Sequence, residues 1–191
     1  MEIVKTERRT RERWLNLFAR TWRHNGHEGE WLFASRKDDP PLPATGIDAV
    51  IIVAVVRAPS QPPRLVVLKE FRVPVGDYVY AFPAGLTEEG ESPEDVARRE
   101  LREETGLEVV EVKRVSPTLY SSAGLTDEAV ALAFVTAEAR AGGVQALDHS
   151  EDIEVLLLDY QQVCDLCNAD VRVDAKAWAV LYLYQLLGAL V

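Results

Sequence analysis

Three glutamates, Glu100, Glu103 and Glu104, are spaced three and four residues apart. Residues at this spacing lie on one face of a helix, so the three carboxylates would meet there. Hard oxygen donors without His or Cys suit Mg²⁺ or Mn²⁺. Because like charges at this spacing repel each other, and more strongly when desolvated, a divalent cation is the simplest compensation. The alternative is an ordinary solvated helix rich in acids.

The sequence around these glutamates predicts the helix that would carry them. Ser92 followed by Pro93 is typical of a helix start, and Gly106 is typical of the residue that ends one. At about 100° per residue, the glutamates fall on the same half of this helix as its apolar residues. The half to be buried carries Val96, Ala97 and Leu101, and the opposite half carries Arg98 and Arg102. A solvated helix would instead place its acids on the outer half.

The residues from Gly85 to Leu107 fit the pattern GX5EX7REUXEEXGU at every specified position, where U is a bulky aliphatic residue. This pattern is the signature of the Nudix hydrolases, and the chain resembles that family here. The resemblance implies cleavage of a nucleoside diphosphate linked to another moiety, by water and with divalent metals. It also implies the fold, an α/β Nudix-type α/β/α sandwich with a mixed sheet.

The same resemblance assigns roles within the signature. It implies that Glu100, Glu103 and Glu104 are metal ligands, together with the backbone carbonyl of Ala84. Arg99 lies four residues before Glu103, so it can hold that carboxylate in place for catalysis. Glu91 matches a glutamate that orients Arg99 and the loop before the helix.

Outside the signature, Lys69–Arg72 and Phe82–Gly85 resemble the sugar-nucleotide branch of the family. That resemblance implies substrate binding by Arg72, through a phosphate, and by Glu70. The alternative for Arg72 is an ion pair at the end of a strand. The branch often carries a glutamate where this chain has Ala81, which leaves the preferred nucleotide open.

The segment 116–128 is a loop of small residues that ends in two carboxylates, as in a catalytic lid. It resembles a loop of the ADP-ribose pyrophosphatases, with Ala123 in place of a proline. The resemblance makes Glu128 a candidate general base or extra metal ligand, with Asp127 as the substitute; an acidic loop without a role is the alternative. Glu151 and Glu154 could approach the metal site or merely flank a strand, and the second interpretation is favoured.

The chain is expected to consist of an N-terminal β-rich arm, residues 1–44, and a Nudix hydrolase domain, residues 45–191. The arm is predicted to be a hairpin that carries Trp14, Trp22 and Trp31. A lone hairpin is marginal in water, so it must pack on the main domain or on a partner subunit. In the ADP-ribose pyrophosphatase-like branch such an arm joins two subunits, which implies a homodimer.

Composition narrows the functional classes further. A net charge of −10 over 191 residues argues against nucleic acid as a general partner. The charged N-terminus does not resemble a signal peptide, and the apolar C-terminal stretch is too short to span a membrane and is expected to be a core or interface helix. Cys164 and Cys167 are expected to be reduced, in keeping with a cytoplasmic protein.

These observations lead to an expected function, a Mg²⁺-dependent (or Mn²⁺-dependent) pyrophosphatase for ADP-ribose or a related nucleoside diphosphate sugar. Two alternatives stay open. One is a pyrophosphatase for another nucleoside diphosphate derivative such as GDP-mannose. The other is a non-catalytic sensor that binds the nucleotide sugar, against which the complete set of glutamates argues.

Overall fold

The computed structural model describes residues 1–190, which form two compact units. One unit comprises residues 1–48 and 118–130, and the other comprises residues 49–117 and those from 131 onward. The boundary between residues 44 and 45 stays a prediction. Among residues 1–190, no helix has the length and apolar character needed to cross a membrane.

The first unit contains a three-stranded antiparallel sheet of β1 (Glu2–Arg8), β2 (Asn16–His24) and β3 (His27–Ser35), in the order β1-β2-β3. The predicted hairpin is β2–β3, closed by Asn25 and Gly26, but the sheet has a further strand and Trp14 lies outside it, 69% exposed. β1 escaped prediction because its sequence, EIVKTER, is mostly charged and exposed and so lacks a clear apolar alternation.

The larger sheet has eight strands, which are β4 (Ala49–Val56), β5 (Arg64–Arg72), β6 (Asp77–Ala81), β7 (Ala84–Leu86), β8 (Leu107–Val115), β9 (Leu119–Tyr120), β10 (Ala129–Ala139) and β11 (Ile153–Leu158). The central order is β11-β5-β4-β10-β8. β6 pairs with β5, β7 with β4 and β9 with β10. The pairs of β5 with β6 and of β8 with β10 are antiparallel. β4 and β10 run parallel, since the N–H groups of Asp48 and Arg57 bond to the carbonyls of Ala129 and Ala137 in the same direction.

Three helices complete the fold: α1 (Pro93–Thr105), α2 (Tyr160–Asn168) and α3 (Ala175–Leu187). α1 packs on β4, β7 and β8, whereas α2 packs on β5, β11 and α3. The continuous apolar runs of β4 and β5 are buried, as expected for strands covered on both faces. The predicted α/β fold with a mixed sheet is therefore confirmed.

Candidate active site

Helix α1 begins and ends within a residue or two of its predicted limits. The side chain of Ser92 accepts a hydrogen bond from the N–H of Asp95, and the carboxylate of Asp95 accepts one from the N–H of Ser92. This reciprocal capping box fixes the first turn. Gly106 ends the helix in the left-handed region, at φ 71°, where a residue without Cβ is favoured. Val96, Ala97 and Leu101 are buried and Arg98 and Arg102 are exposed, as predicted.

The three signature glutamates differ in their exposure. Glu104 is only 6% exposed, and its Oε2 accepts a hydrogen bond of 3.1 Å from the backbone N–H of Ala84. Glu100 is half-buried and lies against Gly85, where a Cβ would stand 1.7 Å from the Glu100 Oε1. The side chain of Glu103 is 40% exposed. The missing side chain at Gly85 therefore makes the space that Glu100 occupies.

Arg99 connects the signature loop to the helix. Its Nε and Nη2 each donate a 2.9 Å hydrogen bond to the carboxylate of Glu91, and its Nη2 also donates to the Leu86 carbonyl. Its Nη1 donates to Glu100 Oε1 at 2.5 Å and lies 3.5 Å from Glu103 Oε2. The bonds from Arg99 lower the pKa of Glu91 to about 2, and the bonds to Glu91 raise the pKa of Arg99. This bidentate pair fixes the guanidinium beside the glutamates.

A cavity of about 380 Å³ opens over α1 and gathers the predicted ligands. Three acids that were not predicted to belong to the site, Glu88, Asp148 and Glu151, also line this cavity. The favoured interpretation of Glu151 as a residue that merely flanks a strand is therefore wrong. Glu154 lies within β11, where it pairs with Lys69 of β5 at 3.6 Å. The cavity is lined by Ala84, Gly85, Leu86, Glu88, Arg99, Glu100, Glu103, Glu104, Ala146, Asp148 and Glu151.

The electrostatics of this cavity disfavour a full set of ionised carboxylates. Burial, followed by repulsion from Glu100, raises the pKa of Glu104 to about 8, although the Ala84 N–H opposes this shift. Burial also raises the pKa of Glu100 and of Glu70, and the charge of Glu151 adds to both shifts. A nearby cation would favour the charged forms.

The donor atoms fit a hard divalent cation, because they are carboxylate and carbonyl oxygens without nitrogen or sulfur. Among residues 1–190, however, no three His, Cys, Asp or Glu side chains already form a metal-binding arrangement. Glu100 accepts a hydrogen bond from Arg99, and Glu104 accepts one from the Ala84 N–H. The residues expected to bind a metal are therefore together, but their oxygens are held by protein donors.

Arg72 and Glu70 form an ion pair of 2.8 Å at the end of β5. Glu70 is 9% exposed, and Arg72 lines a different cavity, of about 520 Å³, together with Arg172 and several valines. The structure thus contains the strand-end pair that was the alternative for Arg72. Its role toward a phosphate stays a prediction.

Glu128 and Asp127 belong to the first unit. Glu128 Oε1 lies 3.7 Å from Arg36 Nε, and its side chain is 29% exposed. Asp127 is 7% exposed and accepts a hydrogen bond of 3.0 Å from Ser35 Oγ. This buried bond gives Asp127 a structural role, whereas the catalytic role of Glu128 stays a prediction.

Comparison with known proteins identifies relatives of this chain. The NUDIX domain matches residues 47–179. The chain is 36% identical over 141 residues to an ADP-sugar pyrophosphatase of Mus musculus, a match that covers 69% of this chain and 64% of that protein. It is 33% identical to an ADP-ribose pyrophosphatase of Bacillus subtilis, a match that covers 71% of each. The chain thus spans less than two thirds of the mouse protein.

A solved structure described as an ADP compounds hydrolase has the same fold. It superposes with a TM-score of 0.68 over 96% of this chain and 91% of that one, at 18% identity. This likeness concerns the fold alone. The domain match, which covers residues 47–179, establishes that the chain belongs to the Nudix family.

Proposed function

We propose that this protein is a metal-dependent hydrolase that cleaves the diphosphate bond of ADP-ribose or a related nucleoside diphosphate sugar. The products are a nucleoside monophosphate and a sugar phosphate. The observation that carries this proposal is the cavity over α1, which is lined by the signature glutamates and Glu151. Burial in this cavity raises the pKa of Glu100 and of Glu104. The names of the relatives from mouse and Bacillus subtilis support the same substrate class.

The residues that would hold Mg²⁺, or Mn²⁺ in its place, are Glu100, Glu103, Glu104 and the carbonyl of Ala84. Bound divalent cations supply neutralisation of the diphosphate charge and activation of water for in-line attack. Arg99 holds Glu100 and stands beside Glu103, which keeps both carboxylates directed into the cavity. Removal of the cations is expected to leave the fold in place and to abolish turnover.

Two carboxylates are candidates for accepting the proton of the attacking water. Glu151 lines the cavity with the signature glutamates, and this location favours it on geometric grounds. Glu128 is the candidate from the family resemblance. Arg72, with Glu70 holding its guanidinium, is proposed to bind a substrate phosphate.

The arm is proposed to join two copies of the chain into a homodimer. The first unit exposes large apolar side chains, with Trp14 at 69%, Trp31 at 57% and Leu32 at 50%. Exposed apolar residues in such number are typical of an interface. The cytoplasm is the proposed compartment, since Cys164 and Cys167 are free thiols.

Release of phosphate-containing products from a panel of nucleoside diphosphate compounds tests the proposal, with Mg²⁺ and with a chelator. We expect cleavage of ADP-ribose that the chelator abolishes. Ala81 is buried in β6, where the branch often carries a glutamate, so GDP-mannose belongs in the panel. Preference for GDP-mannose would change the proposed substrate but not the proposed reaction. Tight binding without turnover of any compound would contradict the hydrolase and favour a sensor.

A further inference from the structure

The loop between β10 and β11, residues 140–152, is bonded to the C-terminal end of α1. The N–H of Ala146 donates to the carbonyl of Glu103 at 2.8 Å, and Nε2 of Gln145 donates to the carbonyl of Glu104 at 2.8 Å. The last carbonyls of a helix have no partners within the helix. Two consecutive residues of the loop therefore supply the donors that two consecutive residues of the helix lack.

The loop backbone also passes very close to the helix end. A Cβ at Gly143 would stand 2.2 Å from the carbonyl oxygen of Gly106. The N–H of Gly143 is bonded to the carbonyl of Arg140, which closes a turn just before this contact. The path of the loop past α1 thus leaves no room for a side chain at residue 143.

Beyond these contacts, the loop brings two acids into the cavity. Asp148 and Glu151 form a closed turn, in which the Asp148 N–H donates to Glu151 Oε2 at 2.8 Å and the Glu151 N–H donates to the Asp148 carbonyl at 3.0 Å. Nε2 of Gln145 also lies 3.3 Å from the carbonyl of Ile153, the first residue of β11. The side-chain amide of Gln145 therefore connects the end of α1 with the start of β11. Asp148 and Glu151 lie on the segment between Gln145 and Ile153.

We propose that Gln145 is a positioning residue that sets the place of Glu151 and Asp148 relative to the glutamates of α1. The helix carbonyls that the loop binds belong to Glu103 and Glu104, the residues whose carboxylates line the cavity. Two hydrogen bonds thus fix the register between the acids of the loop and the acids of the helix. The consequence for catalysis rests on the proposed hydrolase function, whereas the attachment of the loop does not.

The test replaces the donor without changing the volume much. Gln145→Leu and Gln145→Glu both remove the N–H₂ group, and the second also points an oxygen at the Glu104 carbonyl. The matched control is Gln161→Leu, because Gln161 is also exposed and donates a single side-chain bond, to Asp165 on α2 at 2.9 Å. All three proteins are compared with the wild-type full chain.

The first readout is hydrogen exchange of the amides of residues 140–152, in protein without added metal. Loss of a hydrogen bond of about 1 kcal/mol predicts roughly fivefold faster exchange at Ala146 and Asp148 in both Gln145 variants. Gln161→Leu is expected to match the wild type. Unchanged exchange in the Gln145 variants would overturn the attachment.

The second readout is the affinity for Mn²⁺ alone, measured by titration calorimetry, which needs no turnover. A displaced loop takes the charges of Asp148 and Glu151 away from the cavity, so the Gln145 variants are expected to bind Mn²⁺ about threefold more weakly. Faster exchange with wild-type Mn²⁺ affinity would overturn the positioning role. A wild-type protein that cleaves no compound of the panel would contradict the hydrolase and leave both of these readouts valid.

Discussion

Helices α1 and α3 have the same length and similar ends, yet α1 buries an acidic side chain whereas α3 exposes apolar ones. Each has 13 residues, an N-cap side chain that accepts backbone hydrogen bonds, and a left-handed glycine at its C-cap. α1 buries a carboxylate, since Glu104 is 6% exposed, whereas α3 exposes Leu186 and Leu187 at 64% and 66%. The caps therefore determine where each helix begins and ends. The buried acid of α1 and the exposed leucines of α3 indicate what each helix does.

The physical costs of the two departures differ. A buried carboxylate without a cation is disfavoured by several kcal/mol or is protonated instead. An exposed leucine costs nothing in the isolated chain and becomes favourable only when another surface covers it. α1 thus requires compensation within its own cavity, whereas α3 is stable as it is. Substitutions on and around the two helices test this difference, and the largest effect is expected at Glu104.

Glu104→Gln is expected to lower turnover at least about 10²-fold, because it removes a charged oxygen from the cavity that is proposed to hold the cations. The free energy of unfolding should stay the same or rise, because a neutral glutamine amide avoids the cost of burying or protonating a carboxylate at this position. Steady-state kinetics with Mg²⁺ and urea unfolding measure the two effects. Glu94→Gln, on the exposed first turn of the same helix, is the control. A Glu104→Gln protein with wild-type activity would refute the assignment.

Gly85→Ala is expected to lower kcat by about tenfold to a hundredfold. The new Cβ would stand 1.7 Å from Glu100 Oε1, so the carboxylate must move, and a displacement near 1 Å can cost that much. Gly124→Ala is a suitable control, because no atom lies within 4 Å of the position that its new methyl group would take, and its φ lies outside the left-handed region. Equal kinetic constants for the two variants would show that Glu100 tolerates the shift.

Sequence reasoning succeeded where the signal is local. The N-cap Ser92, the glycine at 106 and the inward direction of the glutamates all follow from residue types and spacing along one helix. The same reasoning misplaced Glu151, because its location in the cavity depends on a loop that binds α1 through Gln145, 41 residues from Glu104. It also missed β1, whose pairing with β2 is long-range and whose side chains are mostly exposed. Periodicity carries no information on either contact.

The unfolding free energy of the metal-free protein should depend on pH in an unusual direction. The pKa of Glu104 is raised from its ordinary 4.5 to about 8, so the folded state binds its proton more tightly than the unfolded state does. Stability is therefore expected to rise as the pH falls from about 8 toward 5, by at most about 1.4 kcal/mol for each pH unit. Urea unfolding at several pH values measures this slope, and Glu104→Gln should flatten it. A slope of opposite sign would show that Glu104 is ionised in the folded protein.

Leu186→Lys on α3 is expected to have the smallest effect. Its side chain is 64% exposed, and exposed substitutions usually change the unfolding free energy by less than about 0.5 kcal/mol. Leu181→Ala, on the buried face of the same helix, should instead cost about 2–5 kcal/mol. Thermal unfolding at two protein concentrations distinguishes the possible causes of a larger loss. If Leu186→Lys lowers the melting temperature and removes its dependence on protein concentration, a second copy of the chain covers this face in solution. The exposed leucines of α3 would then need a partner, as the buried acid of α1 does.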